Sequence, residues 1–105
     1  MITIKSYIEE HFREPINLKS TASHFYLNSA YLGQLFKRRY GIYFNEYLTK
    51  LRMDEAKKLL RESNLRIYEI AKQVGFNQAA YFVTQFEKRE QMSPSVYRNQ
   101  VNDQE

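Results

Sequence analysis

Few side chains in this 105-residue sequence are of the kinds that make or break bonds. Cysteine is absent, which removes thiolate nucleophiles, thiolate metal sites and disulfides together. The two imidazoles, His11 and His24, have no acidic pair at ligand spacing, so no metal site is expected. Ser20, Ser23 and His24 adjoin in sequence, but they fall on one short predicted helix with no acid to orient the imidazole, and a hydrolytic triad is not supported. No glycine-rich phosphate loop occurs either. The sequence therefore reads as a non-enzyme without cofactors. It offers cations and hydrogen-bonding groups instead. Of 16 Lys and Arg residues, set against 12 Asp and Glu, eight fall between Lys37 and Arg61. Acids gather at Glu9, Glu10 and Glu14 and again at Asp103 and Glu105. Solvated helix faces also carry such charge runs. With an isoelectric point near 9.3 the balance still favours a polyanionic partner.

The elements that must position these groups are helices. Three glycines and two prolines leave little room for hairpin turns, and apolar residues recur at three and four rather than alternating. Ile4, Tyr7, Ile8, His11 and Phe12 mark a first helix over residues 2–13, stopped by Pro15. Asn17 is a plausible N-cap for a short helix through Phe25, Asn28 or Ser29 for a third running to Tyr40, and Gly41 supplies a left-handed C-cap. Residues 43–62 contain no Gly or Pro and suit one helix of about 30 Å. Its apolar residues split into two stripes, Phe44, Tyr47, Leu48 and Leu51 against Met53, Ala56, Leu59 and Leu60, as expected of a helix packing on two separate bodies. Helices follow over 67–74, closed by Gly75, and over 78–89; Ser93-Pro94 reads as N-cap and first position of a last helix through Arg98. No apolar run approaches the roughly 20 residues that span a bilayer, and the N-terminus lacks a signal-peptide layout, so a cytoplasmic location without a membrane partner is expected.

The sequence repeats itself. Leu18 to Ala22 aligns with Ile67 to Ala71 at an offset of 49, and Tyr31 to Arg39 aligns with Tyr81 to Arg89 at an offset of 50, the difference falling in the intervening turn. Tyr47 is matched by Tyr97. Each copy is a short helix with a small residue inside it (Ala22, Ala71), a tight turn (Phe25 to Asn28, Val74 to Asn77) and a longer helix, the anatomy of a helix-turn-helix. Major-groove entries on one face of B-DNA lie about 34 Å apart, close to the length of the bridging helix, so one chain of this kind is expected to reach successive grooves.

Several segments carry a family resemblance: Tyr31-Leu32-x-x-Leu35-Phe36-Lys37, Gly41-x-x-Phe44-x-x-Tyr47-Leu48, Leu51-Arg52-x-x-x-Ala56-x-x-Leu59-Leu60, Ile67-x-x-Ile70-Ala71-x-x-Val74-Gly75-Phe76, Tyr81-Phe82-x-x-x-Phe86-x-Lys88 and Ser93-Pro94-x-x-Tyr97-Arg98. In this order and spacing they closely resemble the AraC/XylS family of bacterial transcription regulators across nearly the whole chain. The phrasing YLGQLFKRRYG and EYLTKLRMDEAKKLL is most similar to the output domains of two-component response regulators. The resemblance implies an all-α fold of seven helices, with two helix-turn-helix subdomains (about 1–42 and 64–101) joined by a linker helix (about 43–62), a domain over 1–101 and a frayed tail at 102–105. It further implies recognition helices over 29–40 and 78–89, duplex promoter DNA as partner, and RNA polymerase and an N-terminal receiver or sensor domain as further partners. The chain carries neither a receiver nor a sugar-binding domain, and an excised fragment of a longer regulator is one expectation. Two residues depart from the family pattern. Glu87 stands where a basic residue is usual, and Gln91 where a glycine usually ends the second recognition helix. Both lead to the expectation that the second half binds more weakly.

Base readout needs polar or methyl-bearing side chains near the start of a recognition helix, flanked by cations for phosphate. The base-reading candidates are Ser29, Ala30, Gly33 and Gln34 in the first unit and Asn77, Gln78, Ala80, Val83 and Thr84 in the second. Gln34 suits adenine, Ala30 a thymine methyl, and Gly33 permits close approach. The phosphate candidates are Lys37, Arg38, Arg39, Arg52, Lys88 and Arg98, with helix N-termini at Asn28 and Ser93 adding N–H donors. Arg52 has a second reading as a brace on the bridging helix, and Arg98 as a cap of the last helix. With no arginine among the base readers, A·T-leaning contacts and shape readout are expected. Tyr31, Leu32, Leu35, Phe36, Tyr81, Phe82 and Phe86 are expected in the cores. Two other classes compete: a helical protein-interaction module that has lost DNA binding, and an accessory to a DNA-alkyl repair enzyme, which would need the missing cysteine.

Overall fold

The computed structural model describes residues 3–103. Among the described residues it contains seven α-helices and no strands: α1 (Ile4–His11), α2 (Leu18–His24), α3 (Ser29–Tyr40), α4 (Phe44–Glu62), α5 (Ile67–Gln73), α6 (Ala79–Glu90) and α7 (Pro94–Asp103). No helix among the described residues is long and apolar enough to cross a membrane. Helices α2, α3 and α7 begin where the capping chemistry demands. Asn17 accepts from the Ser20 amide at 2.7 Å while the Ser20 hydroxyl accepts from the Asn17 amide at 3.0 Å, and Asn28 accepts from the Tyr31 amide at 3.2 Å. Ser93 Oγ likewise accepts from the Val96 amide at 3.1 Å, with Pro94 as the first helical residue.

The chain divides into two compact units, Met1–Leu51 and Arg52–Glu105. In the first, Ile8 and Phe12 of the α1 region meet Phe36 of α3 and Phe44 and Leu48 of α4. In the second, Met53, Ala56 and Leu60 of α4 meet Ile70 and Ala71 of α5, then Val74, Phe76, Phe82 and Phe86. The split stripe on α4 thus has a physical meaning: one uninterrupted helix supplies a different core from each of its halves.

The repeat extends to packing. Helices α3 and α6 have identical lengths and bounds 50 residues apart, and their burial classes agree at all 12 positions. Ala22 and Ala71 are both 1% exposed, which is what the close crossing of the two helices in each unit requires. In each turn a backbone amide returns to that alanine's carbonyl, from Leu27 at 2.8 Å and from Phe76 at 2.9 Å. The positive-φ residue of the turn is Tyr26 (φ 57°) in the first copy and Gly75 (φ 111°) in the second.

Three expectations need correction. Tyr31 and Tyr81, expected in the cores, are 51% and 57% exposed. They sit at the edge of the apolar stripe, beside Leu32 and Phe82, where a phenol can leave its hydroxyl in water. Helix α7 does not stop near Arg98 but continues to Asp103, because no Gly or Pro interrupts it and Tyr97 packs against the second core. Of the tail expected to fray, Asn102 and Asp103 are helical, and 104–105 lie outside the described residues.

Candidate nucleic-acid interface

Helix α3 buries Leu32 and Phe36 and turns its opposite face outward. On that face and its flank Ser29, Ala30, Gly33, Gln34, Lys37 and Arg38 line one cleft of about 650 Å³, together with Leu18 of α2 beside Gly33 and with Tyr43, Phe44 and Asn45 at the start of α4. The structure thus brings together all four base-reading candidates of the first unit and two of its phosphate candidates. Lys37 also serves the fold: its ammonium donates to the Gly41 carbonyl at 2.9 Å and lies 4.5 Å from the Tyr43 ring centroid. Lys37, Arg38 and Arg39 occupy the last turn of α3, where cations complement the helix dipole. Arg39 belongs to another face. It lines a smaller cleft of about 240 Å³ with Thr3, Ile4, Phe25 and Tyr40, away from the reading residues.

In the second unit Asn77 and Gln78 precede α6 and share a cleft of about 310 Å³ with Arg52, Gly75, Phe76 and Tyr81. Helix α4 therefore delivers Arg52 to the start of the second recognition helix. Its guanidinium lies 5.6 Å from the Phe76 ring centroid, and burial lowers its pKa below the ordinary arginine value. Ala80 and Thr84 are exposed on α6, and the Thr84 hydroxyl donates to the Ala80 carbonyl at 3.0 Å, which leaves its oxygen lone pairs and methyl outward. Val83 is half-buried and packs against the second core. Lys88 and Glu87 are both exposed near the end of α6.

Arg98 is committed elsewhere. Its Nε donates to the Leu60 carbonyl at 3.1 Å and a terminal nitrogen donates to the Ser63 carbonyl at 3.3 Å. It thus closes the C-terminal end of α4, not the final helix as its alternative reading had it. Arg61 joins this arrangement by donating to the Tyr97 hydroxyl at 2.9 Å. Lys57, part of the basic run, pairs with Glu90 at 3.4 Å and helps hold α4 against α6 within the second unit. The basic run is accordingly part interface and part brace. Leu18, Tyr43 and Asn45 escaped the sequence reading because they lie outside the recognition helix. The available signal was the short interval from Gly41 to α4, which forces the start of that helix back beside α3.

A tandem of helix-turn-helix units with an exposed polar face on each second helix defines a class of DNA-binding domain, and comparison with known proteins agrees. Residues 21–100 match the helix-turn-helix domain family of AraC type, and the chain belongs to that family. It is 39% identical over 97 residues to the regulatory protein PocR of Salmonella typhimurium, covering 92% of this chain and 32% of PocR. It is 42% identical, with a TM-score of 0.88, to the crystal structure of the C-terminal domain of the two-component response regulator yesN from Fusobacterium nucleatum, covering 90% of this chain and 93% of that one. The DNA-binding domain of the global transcriptional factor AdpA, solved in complex with a target DNA, shares the fold at a TM-score of 0.90 and 22% identity, over 96% of this chain and 91% of that one. The chain spans about a third of the length of the curated relatives it matches. It is a sequence-specific DNA-binding domain of transcription regulation, similar to response-regulator output domains.

Proposed function

We propose that the chain reads two half-sites about one helical turn apart, with α3 and α6 each entering a major groove. The observation that carries this reading is the matched burial of α3 and α6, which turns equivalent faces outward in both units. In the first unit Gln34 pairs with adenine and Ala30 meets a thymine methyl, with Ser29 beside them and Lys37 and Arg38 on the flanking phosphates. In the second, Asn77, Gln78, Ala80 and Thr84 face the bases, Val83 adds only its exposed edge, and Arg52 and Lys88 meet phosphate. Arg39 and Arg98 contribute less, since one lies on another face and the other holds α4. Glu87 repels phosphate beside the second groove, so the second half-site is the weaker one.

The domain acts in the cytoplasm and performs no catalysis. An N-terminal receiver or sensor domain in the full-length protein sets when it binds, and RNA polymerase is the downstream partner. Selection of duplexes from a randomised pool of about 25 base pairs, at two salt concentrations, tests this reading. Two short motifs about 10 base pairs apart, the second less constrained, are expected. A single motif would remove base reading from α6. Salt-sensitive binding without enrichment would favour a protein-interaction module instead.

A further inference from the structure

Gly33 stands in the middle of α3, where glycine weakens a helix relative to alanine. Neither usual reason for a glycine applies to it. Its φ is not positive, unlike that of Gly41 or Gly75, and a Cβ at this position would lie 3.4 Å from Leu18 Cδ2, an ordinary contact. The fold has room for a side chain and would gain from one. At the matched position of the second unit stands Val83, which packs against the core. What Gly33 does achieve is to leave the Leu18 methyl uncovered as the floor of the 650 Å³ cleft, next to Ala30 and the amide of Gln34.

The chemistry of this cleft restricts its occupant. Its rim carries Lys37 and Arg38, so the partner is anionic; its floor is aliphatic, so the partner presents an apolar group there. The thymine 5-methyl is the apolar group that the base pairs display in the major groove. We propose that the floor formed by Gly33 and Leu18 receives the 5-methyl group of one thymine in the first half-site. Gly33, and Leu18 from outside the recognition helix, are then specificity-determining residues. This inference rests on the DNA-binding reading above.

The test replaces each thymine of the selected duplex in turn by deoxyuridine, which lacks only that methyl, and measures binding by the wild type, Gly33→Ala and Gly33→Val. For the wild type, one dT→dU change in the first half-site is expected to weaken binding about three- to fivefold, the worth of one buried methyl. Gly33→Val is expected to bind both duplexes alike and more weakly than the wild type. Gly33→Ala should melt above the wild type, which separates a recognition defect from a folding defect. The proposal is overturned if no thymine responds to loss of its methyl, or if Gly33→Val keeps the wild-type discrimination. Failure to select any preferred duplex would overturn the DNA-binding reading itself and the proposal with it, and that failure appears before any deoxyuridine is made.

Discussion

Gln91 closes α6 in the same left-handed backbone that Gly41 adopts at the end of α3, with φ at 61° against 75°. Both amides donate to the carbonyl four residues back, at 2.9 Å to Glu87 and 2.8 Å to Lys37. A side chain in this region costs about 1–2 kcal/mol, and Gln91 recovers part of that by donating from Nε2 to the Lys88 carbonyl at 3.1 Å. Because Gln91 reproduces the glycine cap, the expected weakening of the second half no longer rests on it: Gln91→Gly is expected to stabilise the protein by about 1 kcal/mol in urea or thermal unfolding, with duplex affinity unchanged. A loss of stability would show that the side-chain bond outweighs the backbone strain.

Thr21 is completely buried in the first unit, and its hydroxyl has no hydrogen-bond partner. The matched residue of the second unit is Ile70, equally buried. An unpaired buried hydroxyl costs about 1–3 kcal/mol, so Thr21→Val, which keeps the shape, is expected to raise stability by about 1 kcal/mol or more. Equilibrium unfolding checks this; a destabilised variant would mean that the hydroxyl is satisfied in solution.

Arg98 and Arg38 should separate cleanly by salt dependence. Removing the part-buried Arg98 guanidinium deprives the Leu60 and Ser63 carbonyls of charged donors, and Arg98→Ala is expected to lose about 1.5–3 kcal/mol of stability. Under folding conditions its slope of log affinity against log salt should stay at the wild-type value. Arg38→Ala should leave stability alone, weaken all sequences together and flatten that slope by about 1. A flattened slope for Arg98→Ala would return that residue to the phosphate contacts.

Gln34→Ala is expected to relax base preference at one position of the first half-site by about 1–3 kcal/mol while leaving the salt slope intact. Competition between matched and mismatched duplexes reads this out. A uniform loss across sequences would take Gln34 out of base reading.

Most of the fold was legible because the signals were local. Asn17, Asn28, Gly41 and Ser93-Pro94 act within a few residues of where they stand, and the two stripes on α4 report their two cores directly. The first cleft was legible where its lining lay on one helix, as for Ala30, Gly33, Gln34 and Arg38. It was not legible where distant segments meet. No local pattern announces that Arg98 ends its reach at α4, that Lys57 meets Glu90, or that Leu18 floors the first cleft. Tyr31 and Tyr81 show the remaining limit: periodicity places a residue near a core, while the polar end of a phenol decides whether it goes in.

The shared burial of α3 and α6 also separates what holds each unit together from what it presents to solvent. The two helices bury the same positions while their outward residues differ at Gln34 and Thr84, Lys37 and Glu87, and Arg38 and Lys88. Since Leu32 and Phe36 hold one copy and Phe82 and Phe86 the other, substitutions at exposed positions such as Gln34 or Thr84 leave both interiors undisturbed. Each outward face can therefore change by itself while both interiors, and with them the fold, are kept.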